Sequence, residues 1–103
     1  MKYKRLGKSG LRVSPLCFGC MSFGDKSQRP WILELDEARP FFQKAIEAGF
    51  NFFDTADTYS YGASEEVTGK LIREFMPRDK AVIATKVLNP VEAKPGPNGT
   101  GLS

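Results

Sequence analysis

Three short apolar runs separated by two helical patterns constrain this chain more than any other feature. Leu16-Cys17-Phe18, Asn51-Phe52-Phe53-Asp54 and Ala81-Val82-Ile83-Ala84-Thr85 begin near positions 16, 51 and 81. Between the first two, Phe41, Phe42, Ala45, Ile46 and Gly49 recur at helical spacing, and between the second and third Val67, Leu71, Ile72 and Phe75 do the same. Strand, helix, strand, helix, strand at intervals of about 30 to 35 residues is the rhythm of successive β-α units with parallel strands. The first and third runs are apolar enough to predict strands covered on both faces.

The punctuation agrees with that order. Asp36 predicts the cap of the first helix, with Pro40 in its first turn, where a missing amide hydrogen costs nothing. Ser64 predicts the cap of the second, with Glu65 and Glu66 at the end where the helix dipole favours anions, and Pro77 stops it. Ahead of the units, Tyr3–Leu6 and Leu11–Ser14 flank Gly7-Lys8-Ser9-Gly10 and predict a small hairpin. A glycine-bearing loop is expected from Gly19 to about Leu35, and the Pro- and Gly-rich stretch from Asn89 to Ser103 has no periodicity. The expected layout is a hairpin over residues 3–14, β/α units over 15–88 and a loop over 89–103.

Two architectures share this rhythm. A doubly wound dinucleotide-binding fold calls for G-x-G-x-x-G after its first strand, and Gly19 to Gly24 reads G-C-M-S-F-G. A phosphate-binding P-loop fails as well, because Asp25 stands where its lysine belongs. The eightfold (β/α)8 TIM barrel remains, and it takes about 250 residues. The fold class expected for these 103 residues is therefore α/β: an N-terminal hairpin plus the first three β-α units of such a barrel, incomplete in this chain, the N-terminal portion of one domain. Element counting further predicts that the chain alone is neither stable nor active.

Composition narrows the function classes. With 41% apolar and 26% charged residues the balance is that of an ordinary globular protein. The net charge of +3 comes largely from Lys2, Lys4, Arg5, Lys8 and Arg12, with no base-stacking or groove-reading pattern beside them, so a solvated surface is expected and no nucleic-acid partner. No run approaches the ~20 apolar residues of a membrane span and the start lacks the layout of a secretory signal, which leads to the expectation of a cytoplasmic protein with no membrane partner. Cys17 and Cys20 form a C-x-x-C, yet there is no second pair and no histidine. A three-residue offset along a strand sends the two side chains to opposite faces, so two unpaired thiols and no metal are expected.

In a β/α barrel, chemistry gathers in the loops after the C-terminal ends of the strands. Asp54 lies at such an end, Tyr59 follows in the loop, and Lys86 closes the third strand, so three different segments could bring them to one pocket. Each has a plainer reading. Asp54 can cap a turn, Tyr59 and Tyr61 can both rim a pocket, and a lysine at a strand end is usually solvated. Asp57 reads as turn chemistry.

The stretch Asn51-Phe-Phe-Asp-Thr-Ala-Asp-Thr-Tyr59, with the later Ala84-Thr-Lys86, resembles the aldo-keto reductase family. Leu6-Gly-Lys-Ser-Gly-Leu-Arg-Val-Ser14 and Gly19-Cys-Met21 resemble the same family's hairpin and first strand end, so the resemblance runs to about Val87. It implies a barrel that binds NADPH without a Rossmann fold and reduces small aldehydes or ketones. It implies a catalytic tetrad of Asp, Tyr, Lys and His, of which the first three fall on Asp54, Tyr59 and Lys86, while the histidine has no counterpart in this chain. It places Gly19, Cys20, Met21 and Asp54 against the cofactor. Trp31, Phe23 and Tyr61 are candidates to wall a substrate pocket. A non-catalytic, nicotinamide-binding or regulatory subunit of the same fold is the alternative.

The chemistry of that set stands on its own. When hydride reaches a carbonyl carbon, charge develops on the oxygen and a positioned acid must supply a proton. A phenol with an ordinary pKa of about 10 is a reluctant donor at neutral pH. A neighbouring ammonium favours the phenolate, and a carboxylate paired with that ammonium keeps it charged and oriented.

Overall fold

The computed structural model describes residues 1–102. Its order is β1 (Lys4–Arg5), β2 (Arg12–Val13), β3 (Phe18–Gly19), α1 (Leu35–Glu47), β4 (Phe52–Asp54), α2 (Ala63–Phe75) and β5 (Val82–Ala84). β1 and β2 pair antiparallel, with Arg5 opposite Arg12. The other strands form a parallel sheet in the order β3-β4-β5, with α1 and α2 as the crossovers. Among the described residues the sheet is open and does not close into a barrel; a loop follows β5, as the Pro- and Gly-rich composition predicts.

The core lies between the sheet and the two helices. Phe42 of α1 and Phe53 of β4 stack at 6.1 Å between ring centroids, with Leu71 and Ile72 of α2 fully buried beside them. Phe18 meets Phe42 and Phe53 edge-on. Burying side chains of this size is the main force holding helix to strand, at roughly 1.5–3 kcal/mol each. The hairpin is fastened to the start of β4: Asn51 accepts from the Ser14 amide at 2.7 Å and donates to the Arg12 carbonyl at 3.0 Å, and the Tyr3 hydroxyl donates to Gly49 O at 2.8 Å. Gly49, at φ 103°, supplies the left-handed turn that ends α1.

Several local expectations change. α1 starts at Leu35, and its N-cap is Glu34, two residues before Asp36, in a reciprocal capping box with Glu37, a role for which sequence ranks Asp above Glu. Pro40 therefore sits inside the helix, beyond the first turn, and deletes one ladder hydrogen bond there. Ser64 does not cap α2. Gly62 does, at φ 98°, and Ser64 lies one residue into the helix with its side chain buried. Phe41, expected on the buried face of α1, is 53% exposed, because Ala38, Phe42 and Ala45 already fill the contact with the sheet. The first and third strands are not covered on both faces. Both are edges of the sheet, Leu16 is 60% exposed, and Val82 to Ala84 are half-buried, because the helices cover one face only.

Candidate active site

The parallel register puts the ends of the three strands side by side: Gly19 pairs with Asp54, and Asp54 with Ala84. At this edge β4 points Asp54 away from the core, because the alternation that buries Phe53 turns its neighbours to the opposite face. Lys86, two residues past β5, reaches back to the same place. Its Nζ donates to Asp54 Oδ2 at 2.7 Å, to the Thr55 carbonyl at 2.8 Å and to the Tyr59 hydroxyl oxygen at 3.1 Å. An ammonium has three protons and no lone pair, so these three acceptors satisfy it completely.

Lys86 is about half exposed and Asp54 somewhat less. The Asp54 carboxylate is the main reason the Lys86 ammonium is held above the ordinary lysine pKa; partial loss of water opposes that, and Tyr59 adds to it. The same cation stands 4.8 Å from the centroid of the Tyr59 ring. Because Lys86 donates to the Tyr59 oxygen, the phenol proton is not spent on this contact and is left for a third group. Chemically, a cation fixed beside a phenol oxygen favours the phenolate, so the arrangement would ease loss of the phenol proton.

Tyr59 also faces a cleft of about 330 Å³ between two loops. Met21, Gln28, Arg29, Trp31 and Ile32 line it from the loop after β3, and Thr58 to Tyr61 from the loop after β4. Trp31 and Tyr61 are therefore walls of this cleft. Phe23 is not; it is buried in the core against Phe18 and Phe42.

Of the four residues expected beside a cofactor, Asp54 lies in the Lys86 cluster and the other three separate. Gly19 is exposed, and a Cβ built on it meets nothing within 4 Å, so the backbone there is open to close approach. Met21 is exposed on the cleft. Cys20 is turned into the core; its amide donates to Asp54 O at 2.8 Å and its carbonyl accepts from Ser64 Oγ at 2.7 Å, so neither its side chain nor its peptide groups are free for a ligand. Burial pushes its thiol up to about 11, the Thr68 side chain opposing, whereas Cys17 is an exposed free thiol. Asp57, read as turn chemistry, donates its amide to the Lys86 carbonyl at 3.2 Å.

Sequence reading missed the Thr55 carbonyl, since a main-chain acceptor carries no residue signature. It also missed Arg29 and Gln28, polar residues in a loop whose path depends on tertiary packing.

Residues 15–103 match the model of the aldo/keto reductase family. The versiconal hemiacetal acetate reductase of Aspergillus parasiticus is 41% identical over 98% of this chain and 31% of its own length. A probable voltage-gated potassium channel subunit beta of Arabidopsis thaliana is 44% identical over all of this chain and 29% of its own. The holo form of an aldo-keto reductase from Bacillus halodurans superposes with a TM-score of 0.72 at 38% identity, covering 98% of this chain and 30% of that one. The chain thus spans about a third of the length of the curated relatives it matches. A parallel β-α sheet gathering Asp54, Tyr59 and Lys86 at its C-terminal edge, with a family match over nearly the whole chain, makes this chain a member of the aldo/keto reductase family.

Proposed function

We propose that the complete protein to which these residues belong reduces small aldehydes or ketones to alcohols with NADPH, and that Tyr59 is its proton donor. The observation that carries this is the contact set of Lys86, which holds a cation 3.1 Å from the Tyr59 oxygen while Asp54 keeps that cation charged and in place. When bound, NADPH supplies the hydride for the carbonyl carbon. Tyr59 gives its phenolic proton to the carbonyl oxygen, the phenolate left behind is stabilised by Lys86, and solvent returns the proton. Gly19 and Met21 fit a nicotinamide and its ribose, one through open backbone and the other through an apolar face on the cleft. Cys20 does not fit a direct contact. A cytoplasmic setting goes with NADPH use and two free thiols.

A tetrad histidine to orient the substrate has no counterpart among these 103 residues, and the sheet is open at β3 and β5. The reading therefore assigns turnover to the complete barrel and none to residues 1–103 alone. Steady NADPH consumption with an aldehyde by residues 1–103 would overturn that part.

The likeness to the channel subunit beta favours a second reading, a nicotinamide-binding regulatory subunit. Tyr59→Phe in the full-length protein separates the two. A reductase loses turnover by about 100-fold or more while still binding NADPH; a regulator that works through its partner keeps its function in the same variant.

A further inference from the structure

The cleft is walled by two loops, which meet closely at Gly24 and Ser60. A Cβ built on Gly24, in the loop after β3, falls 2.4 Å from Ser60 Oγ and 2.6 Å from Ser60 Cβ, in the loop that carries Tyr59. Rotating the Ser60 side chain moves only its oxygen, so the clash with its Cβ remains. Nor is the Ser60 backbone relaxed: Ser60 and Tyr61 are consecutive left-handed residues at φ 50° and 48°. Ser60 Oγ is buried without a hydrogen-bond partner, so its position is set by packing against Gly24 rather than by a polar bond. Gly24 itself is anchored, its amide donating to Leu33 O at 3.0 Å while the Leu33 amide donates to Ser22 O at 2.8 Å.

We propose that Gly24 is a positioning residue of the reductase site: by lacking a side chain it seats Ser60 against the first loop, which fixes the separation of the cleft walls and the placement of Tyr59 between them. This rests on the reductase reading above, since it is the placement of the proton donor that the contact serves. The contact sits one residue beyond Tyr59 and sets the width of the cleft, so it governs which carbonyl compounds reach the donor as well as how well they are aligned. Bulky aldehydes, which touch both walls, depend on it more than small ones.

The test uses the full-length protein with Gly24→Ala, alone and combined with Ser60→Gly or Ser60→Ala. Both double variants carry the same backbone cost at position 24, but only Ser60→Gly removes the Cβ that blocks the new methyl. We expect Gly24→Ala to lower kcat/KM for an aromatic aldehyde by about tenfold or more and for a short aliphatic aldehyde by less. Ser60→Gly should restore at least about threefold, and Ser60→Ala should restore nothing. A uniform loss for both aldehydes, kinetics of Gly24→Ala within about twofold of the parent, or equal rescue by the two partners overturns the proposal. Amide exchange over residues 56–62 is measured in the same variants: it should quicken in Gly24→Ala and recover only with Ser60→Gly. If Tyr59→Phe keeps its activity the reductase reading falls, and exchange still decides whether Gly24 holds the Tyr59 loop.

Discussion

Lys86 and Asp54, 32 residues apart in the chain, are joined by a 2.7 Å ion pair across the ends of β4 and β5. Neither residue is deeply buried, so the pair adds little to stability, about 1 kcal/mol at most. Its effect is on orientation. Asp54→Asn in the full-length protein should therefore lower the rate of carbonyl reduction by about 10- to 100-fold while moving the urea midpoint very little. A large stability loss with unchanged turnover would contradict that assignment.

The same pair sets a pH dependence. The Lys86 pKa is raised in the fold, Asp54 being the main cause, so its contribution is fully present below the unfolded lysine value of about 10.4 and is lost as pH rises through the higher folded value. Removing the carboxylate should bring that alkaline loss to lower pH. Direct NMR titration of the Lys86 ammonium from pH 8 to 12 in the parent and Asp54→Asn measures the difference, and superimposable titration curves would refute it.

The two cysteines should behave as different chemical species. Cys17 is exposed, whereas Cys20 is buried with its thiol near 11. Brief maleimide labelling of the native protein at pH 7.5, read by peptide mass mapping, should mark Cys17 and leave Cys20 until denaturant is added. Equal labelling would mean that the core around β3 opens readily.

Ser64 ties three segments together, its hydroxyl donating to the Cys20 carbonyl at 2.7 Å and meeting Thr55 Oγ1 at 2.9 Å inside the core. Ser64→Ala leaves both groups buried without that partner and should destabilise the full-length protein by about 1–3 kcal/mol in equilibrium denaturation. A change near zero would show that water reaches these groups.

How far the sequence reached depended on whether a residue's environment was local. β4, α2 and β5 were legible, because Phe53, Val67, Leu71 and Ile72 carry the alternation and the helical period that their burial requires. Asp54, Tyr59 and Lys86 were singled out by motif and spacing, and the fold brings all three together. Glu34 was overlooked as a cap because a long side chain reaching back to the helix start is a weak signal. Phe41 and Phe42 look alike in sequence, and only the angle of α1 against the sheet decides which is buried. Phe23, expected in the pocket wall, and Cys20, expected beside the cofactor, lie in the core, because the path of the loop after β3 cannot be read without its tertiary contacts. The seat of Ser60 against Gly24 lies wholly beyond sequence reading, since it joins two loops through the absence of an atom.

Three acceptors converge on the Lys86 ammonium. Two belong to β4 and the residue after it, and the third to the loop beyond, so the three protons of one ammonium link two segments of the chain. A guanidinium keeps the charge but spreads its donors over a flat fork, where the ammonium gathers three protons on one atom. At this position charge and shape are separate requirements, and arginine, the usual stand-in for lysine, meets only the first.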